Sequence, residues 1–160
     1  MRNRAKQPAK TLRLLVANGV NLDLLGQREP EIYDAATLED YNSDLAEFAQ
    51  SLATLKRYPA FSLQFFQTNH EGELLAKLSA GWDGCLINPG AWTHTSLALA
   101  DRLKGLGLVF VEVHISNTHA REGFRQRSFT APHSCGIFVG GGKTAYRVGL
   151  VALLEALLRS

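Results

Sequence analysis

At 160 residues the chain has room for one domain with a sizeable core and too little for two. An apolar fraction of 46%, a charged fraction of 20% and a net charge of +2 are ordinary for a globular protein and give no ground for a nucleic-acid partner. No stretch approaches the roughly 20 apolar residues that cross a bilayer, so no membrane association is expected.

Several cations fall in the first ten residues, where Arg2, Arg4, Lys6 and Lys10 stand among polar residues and Pro8. Residues 1–10 are therefore expected to be a disordered basic arm in front of a single domain, 11–160. The arm lacks the apolar run of a secretory signal. Cys85 and Cys135 each sit inside a short apolar stretch and read as buried small hydrophobes. A reducing cytoplasm is the expected compartment.

In chain order, Leu12 to Ala17 reads as a strand. Thr37 to Leu55 reads as a helix, because Leu38, Tyr41, Leu45, Phe48, Leu52 and Leu55 recur at spacings of three and four. Thr37 with Asp40 three residues later suits its N-terminal cap. Phe61 to Phe66 is a second strand and Glu71 to Ala80 a second helix. Cys85 to Asn88 is a third strand, followed by a helix from Thr95 to Leu103. Leu108 to His114 and Gly136 to Val139 are the last strands, and Thr144 to Leu158 is an apolar closing helix. Strands alternating with helices imply right-handed βαβ units and a parallel sheet covered on both faces. Length and strand count favour a flavodoxin-like α/β three-layer sandwich with five strands in the order 2-1-3-4-5.

Ligands of such sheets bind beyond the carboxyl ends of the strands. The first strand is followed by Asn18-Gly19-Val20-Asn21 and then a loop holding Arg28 and Tyr33. The third is followed by Pro89-Gly90-Ala91-Trp92-Thr93-His94. The fourth runs into His114-Ile115-Ser116-Asn117, then Arg121 and Arg125. Amides, imidazoles, a phenol and guanidiniums thus converge on one edge, which can bind an anion and carries no carboxylate cluster. The loop from Gly26 to Ala36 is long enough to suggest a lid.

Four blocks, NGVNLDLLGQREPEIY (Asn18 to Tyr33), NHEGE (Asn69 to Glu73), INPGAWTHTS (Ile87 to Ser96) and EVHISNTHAREGF (Glu112 to Phe124), resemble in order and spacing the signatures of the type II 3-dehydroquinate dehydratases. The likeness covers nearly the whole chain after Lys10. It implies an anti elimination of water from 3-dehydroquinate, through an enolate, with neither metal nor Schiff base and with no cofactor. By the resemblance Tyr33 is the base. A free phenol has a pKa of about 10, so it needs nearby positive charge; Arg28 fits that task, with Arg121 as a second cation. Asn21 supports the developing enolate charge through a water or directly. His114 is the general acid, oriented by Glu112 or a nearby amide. Asn88 and His94 grip ring hydroxyls, the Ile115 and Ser116 amides bind the carboxylate, and Arg125 stands near it. The resemblance also implies a homododecamer, a tetramer of trimers, in which Asp101 reaches a neighbouring subunit's site. Val20, Asp23, Trp92 and the run Gly140-Gly141-Gly142-Lys143 depart from the family pattern without removing any of these groups.

Taken singly the same residues have plainer readings. Tyr33 suits an exposed tyrosine, His114 a structural imidazole, Arg121 and Arg125 one solvated face, and Asn18, Asn21 and Asn88 turn formers. His70-Glu71 reads as a helix start or an interface contact, and His119 and His133 as structural. Gly142-Lys143-Thr144 ends like a phosphate-binding loop, but Ile137 stands where that loop needs glycine. The histidines show no zinc-binding spacing, so no metal is expected. The lysines avoid all four blocks, which disfavours an imine. A sensor that kept the pocket without turnover is the alternative on the same fold; a signalling receiver would need acids where Asn18 and Asn21 stand.

Overall fold

The computed structural model describes residues 10–27 and 35–160. Strands β1 (Leu12–Asn18), β2 (Phe61–Gln67), β3 (Gly84–Asn88), β4 (Phe110–His114) and β5 (Ile137–Val139) form a parallel sheet in the order β2-β1-β3-β4-β5. Helices α1 (Leu38–Thr54), α2 (Glu71–Leu78), α3 (Leu97–Leu106) and α4 (Lys143–Leu157) connect and cover it. The expected elements, their sequence and the strand order all appear.

Alternation along the strands divides the interior into two layers. Leu14, Val16, Leu86, Val111 and Val113 face α1 and α4, meeting Leu45, Leu52, Leu150, Leu153 and Leu154. Leu15, Ala17, Cys85, Ile87 and Phe110 face α2 and α3, meeting Leu74, Leu78, Leu99 and Leu103. Each buried aliphatic side chain contributes about 1.5–3 kcal/mol of transfer free energy, which makes these layers the main source of stability. The sheet and α4 approach unusually closely at Gly149, where a Cβ would stand 2.7 Å from Leu86 Cδ1 and 2.8 Å from Val113 Cγ1.

Helix ends follow local chemistry. At α1 the Thr37 hydroxyl accepts from the Asp40 amide at 3.2 Å, and the Asp40 carboxylate accepts from the Thr37 amide at 2.7 Å. Helix α3 starts at Leu97 rather than at Thr95, because the Thr95 and Ser96 amides both bond back to the Trp92 carbonyl and Ser96 then caps the Leu99 amide. It runs on to Leu106 and stops at Gly107, whose φ of 59° supplies the left-handed turn.

Cys85 is buried, and burial pushes its thiol pKa up. Cys135, expected inside, is exposed. It precedes the three-residue edge strand β5, which has no strand beyond it to cover that side among the described residues, and its thiol lies 3.0 Å from the Phe110 carbonyl. Lys10 pairs with Asp83 at 2.5 Å; the rest of the expected arm, residues 1–9, lies outside the described residues.

Candidate active site

Strands β1, β3 and β4 end side by side, with Asn18 opposite Asn88, and the segments that follow them line one cleft. The turn after β1 is pressed against the turn after β3. The Gly19 amide donates to the Asn88 carbonyl at 2.8 Å, and a Cβ on Gly19 would come within 2.4 Å of the Pro89 carbonyl oxygen. Glycine is thus the residue that lets these two backbones meet. Asn21 sits in the left-handed region at φ 65°. Its amide donates to Asn69 Oδ1 at 2.8 Å, and Asn69 Nδ2 donates to Asp23 at 2.9 Å. These bonds fix Asn21 at the cleft wall.

A polar network lies beneath. Asn88 Oδ1 accepts from the Gly90 amide at 3.1 Å, while Asn88 Nδ2 donates to the Tyr146 hydroxyl at 3.0 Å. That hydroxyl in turn donates to Asn18 Oδ1 at 2.6 Å. Burial pushes the Tyr146 pKa up, so the phenol stays a neutral donor. Asn18 Nδ2 is buried without a hydrogen-bond partner among the described residues.

Both histidines have one nitrogen committed. His94 closes a 3-10 turn (Gly90–His94), and its Nδ1 lies 2.6 Å from the Arg127 carbonyl. A carbonyl only accepts, so Nδ1 carries a proton and Nε2 is the nitrogen left for the cleft. The His114 ring stacks beside it, with centroids 6.4 Å apart and planes 14° from parallel. His114 Nε2 stands 2.7 Å from Glu112 Oε1, and Glu112 is fully buried behind it on the same face of β4. Thr93, Ser128 and Thr130 hydroxyls also donate to this carboxylate. Burial alone would raise the Glu112 pKa, but the hydrogen bonds from His114, Thr130 and Thr93 and the neighbouring imidazole hold it below the usual glutamate value.

Ile115 and Ser116 follow His114 along the wall. Arg121 and Arg125 reach the cleft from the 3-10 turns Thr118–Ala120 and Gly123–Gln126. Arg125 Nε bonds Glu122 at 2.9 Å, with Arg121 Nε 4.0 Å from the same oxygen. They form one cationic wall of the cleft, not a solvated helix face. Asp101 lies on the exposed side of α3, outside this chain's own cleft. Arg28 and Tyr33, with most of the expected lid, lie outside the described residues.

The structure therefore gathers Asn21, Asn88, His94, His114, Ile115, Ser116, Arg121 and Arg125, with Glu112 as support. Sequence reasoning missed Tyr146, Ser128 and Thr130, and it passed over Thr93 and Asn69 although both stand in the quoted blocks. Donors and two guanidiniums around a cleft with no carboxylate among its described lining residues suit a small hydroxylated carboxylate. Among the described residues no three His, Cys, Asp or Glu side chains are grouped to hold a metal ion, and no helix is long and apolar enough to cross a membrane.

Comparison with known proteins agrees with this geometry. The family model described as dehydroquinase class II matches residues 12–154. The 3-dehydroquinate dehydratase of Carboxydothermus hydrogenoformans is 46% identical over 151 residues, 92% of this chain and 94% of that protein. The catabolic 3-dehydroquinase 1 of Aspergillus terreus is 44% identical over 140 residues, 86% of this chain and 88% of its own. Among solved structures, the type II dehydroquinase of Butyrivibrio crossotus superposes with a TM-score of 0.81 at 36% identity, covering 89% of this chain and 97% of that one. With the sheet order, the cleft and matches over most of both chains in agreement, the chain belongs to the class II dehydroquinase family.

Proposed function

We propose that this protein is a hydro-lyase that removes water from 3-dehydroquinate by anti elimination through an enolate, giving 3-dehydroshikimate. The observation that carries the reading is the cleft itself. It joins His114, backed by a buried Glu112 at 2.7 Å, to Asn21, Asn88, His94 and a cationic wall of Arg121 and Arg125. Similarity along most of the chain to proteins named 3-dehydroquinate dehydratase supports the same substrate.

In this mechanism the Tyr33 phenolate takes the proton beside the ketone, with Arg28 supplying the positive charge that makes a phenolate accessible near neutral pH. The C–H electron pair moves onto the ketone oxygen, where Asn21 stabilises the enolate through a water or directly. Collapse of the enolate expels the hydroxyl, which leaves as water with a proton from His114. Because Nε2 donates to Glu112, the proton delivered comes from Nδ1 of the doubly protonated ring, which is left as the neutral imidazole with its Nε2 proton still on the carboxylate bond. Asn88 and His94 hold ring hydroxyls, and Ile115, Ser116 and Arg125 hold the carboxylate. Neither a metal nor an imine takes part. The working assembly is a cytoplasmic homododecamer in which Asp101 enters a neighbouring subunit's site.

The test is ultraviolet absorbance on mixing chelator-treated protein with 3-dehydroquinate. Growth of the conjugated enone, surviving chelator and borohydride and lost in Tyr33→Phe with binding retained, is the expected result. Tight binding with a flat trace in the parent would replace the enzyme with a sensor. Full activity in Tyr33→Phe would remove Tyr33 as the base.

A further inference from the structure

The segment from Arg127 to Thr130 meets His94 directly and His114 by way of Glu112, although none of its residues lines the cleft. The Phe129 amide donates to the Thr93 carbonyl at 2.8 Å, which ties the segment to the 3-10 turn carrying His94. Next to that tie, His94 Nδ1 donates to the Arg127 carbonyl, and the Ser128 and Thr130 hydroxyls reach Glu112.

Glu112 is ringed by donors. Oε1 lies 2.7 Å from Thr93 Oγ1, 2.7 Å from His114 Nε2 and 3.1 Å from Ser128 Oγ. Oε2 lies 2.6 Å from Thr130 Oγ1 and 3.3 Å from Ser128 Oγ. Ser128 Oγ already accepts the Ala131 amide at 2.8 Å, so its own proton is left to point at the carboxylate or at its hydroxyl neighbours. An ionised carboxylate has about four acceptor positions and no donor. A neutral carboxyl would have to reverse one of these bonds. Thr93, Glu112 and Thr130 are all buried from solvent, so bulk water does not compete for the role.

We propose that Ser128 and Thr130, acting with Thr93, are positioning residues that keep Glu112 an accepting carboxylate and thereby hold the Nε2 proton of His114, so that a second proton, on Nδ1, is the one offered to the substrate. This rests on the general-acid reading of His114 for its catalytic consequence, but not for its statement about Glu112. Among the described residues Glu112 is the anion that meets His114. His94, Arg121 and Arg125 share the cleft with His114. The ionisable side chains of α3, Asp101, Arg102 and Lys104, and His133 beside the segment are exposed to solvent. Tyr146 of α4 packs in the layer on the other face of the sheet.

The experiment compares the full-length parent with T130V, T130S and S128A. One readout is the carbon-13 titration of the Glu112 carboxyl; the other is kcat and KM for 3-dehydroquinate. T130V removes a donor without changing shape, and its Glu112 titration is expected to move up by about one pH unit, a differential of about tenfold between the two protonation states. S128A should move it the same way by less, and T130S should restore it. In kcat, T130V should lose about tenfold with KM changed far less. An unmoved Glu112 titration in folded T130V overturns the proposal; if T130V does not fold, an unmoved titration in S128A overturns it instead. A shifted titration with unchanged kcat supports the proposal for Glu112 and overturns the general-acid role of His114.

Discussion

Tyr146→Phe removes a single hydroxyl from α4 and leaves the ring, with its edge-on contact to Tyr41 at 5.7 Å, in place. Two buried groups then lose their partners. Asn18 Oδ1 loses a 2.6 Å donor at a residue with no solvent exposure, and Asn88 Nδ2 loses its acceptor at a residue 3% exposed. Each orphaned polar group costs about 1–3 kcal/mol, and partial relaxation of the two amides places the sum at roughly 2–4 kcal/mol. For a chain of this length each kcal/mol moves the midpoint by about 2–4 °C, so Tm should fall by roughly 5–15 °C. Calorimetry at one fixed protein concentration measures this, since subunit association would otherwise enter. Because Asn88 lines the cleft, KM for 3-dehydroquinate should rise in the same variant. A Tm within about 1 °C of the parent and an unchanged KM would show that the hydroxyl carries nothing, and the reasoning from burial would be wrong.

Gly149→Ala should destabilise by about 1–3 kcal/mol in urea despite alanine's better helix propensity, because its Cβ would press on Leu86 and Val113; a stabilised variant would refute the close approach of α4. Thr37→Ala should cost about 1 kcal/mol by loss of the capping box while leaving kcat unchanged, and an unchanged urea midpoint would count against the cap. Glu112 has a folded pKa below its unfolded value, so its contribution is complete above the ordinary 4.5 and is lost as pH falls through the folded value. The stability gap between the parent and Glu112→Gln should accordingly be widest above that pH and close on acidification. A gap that stays constant from neutral to acid pH would mean that the carboxylate's charge contributes no stability.

The layered architecture is legible in the sequence because local and global signals agree. Leu38, Tyr41, Leu45 and Leu52 repeat at helical spacing and mark the face that α1 turns inward, and each apolar strand run forms a strand. The cleft is legible because Asn18-Gly19-Val20-Asn21, Asn88 and His114 sit directly at strand ends, where a parallel sheet must place its ligand. Thr93, Ser128 and Thr130 are not legible as a cluster. They are common hydroxyl residues, and Ser128 and Thr130, which stand 35 and 37 positions from Thr93, meet it only through the path of the chain between β4 and β5. Tyr146 hides for a related reason: in an apolar helix a phenol reads as packing, and its hydroxyl's partners are on distant strands. Cys135 misleads because its apolar neighbours suggest an interior that the short edge strand β5 does not have.

The bond between Tyr146 and Asn18 spans 128 residues, and this has a kinetic consequence. All five strands precede α4 in the chain, yet one face of the sheet gains its cover of Leu150, Leu153 and Leu154 only from α4. Until that helix docks, Leu14, Val16, Leu86, Val111 and Val113 lack half of their layer, and contacts so distant in sequence close slowly. The interval is one in which chains can meet one another through uncovered apolar surface. Refolding yield should therefore fall as protein concentration rises, and a chain interrupted before residue 143 should persist as an association-prone species without a finished cleft.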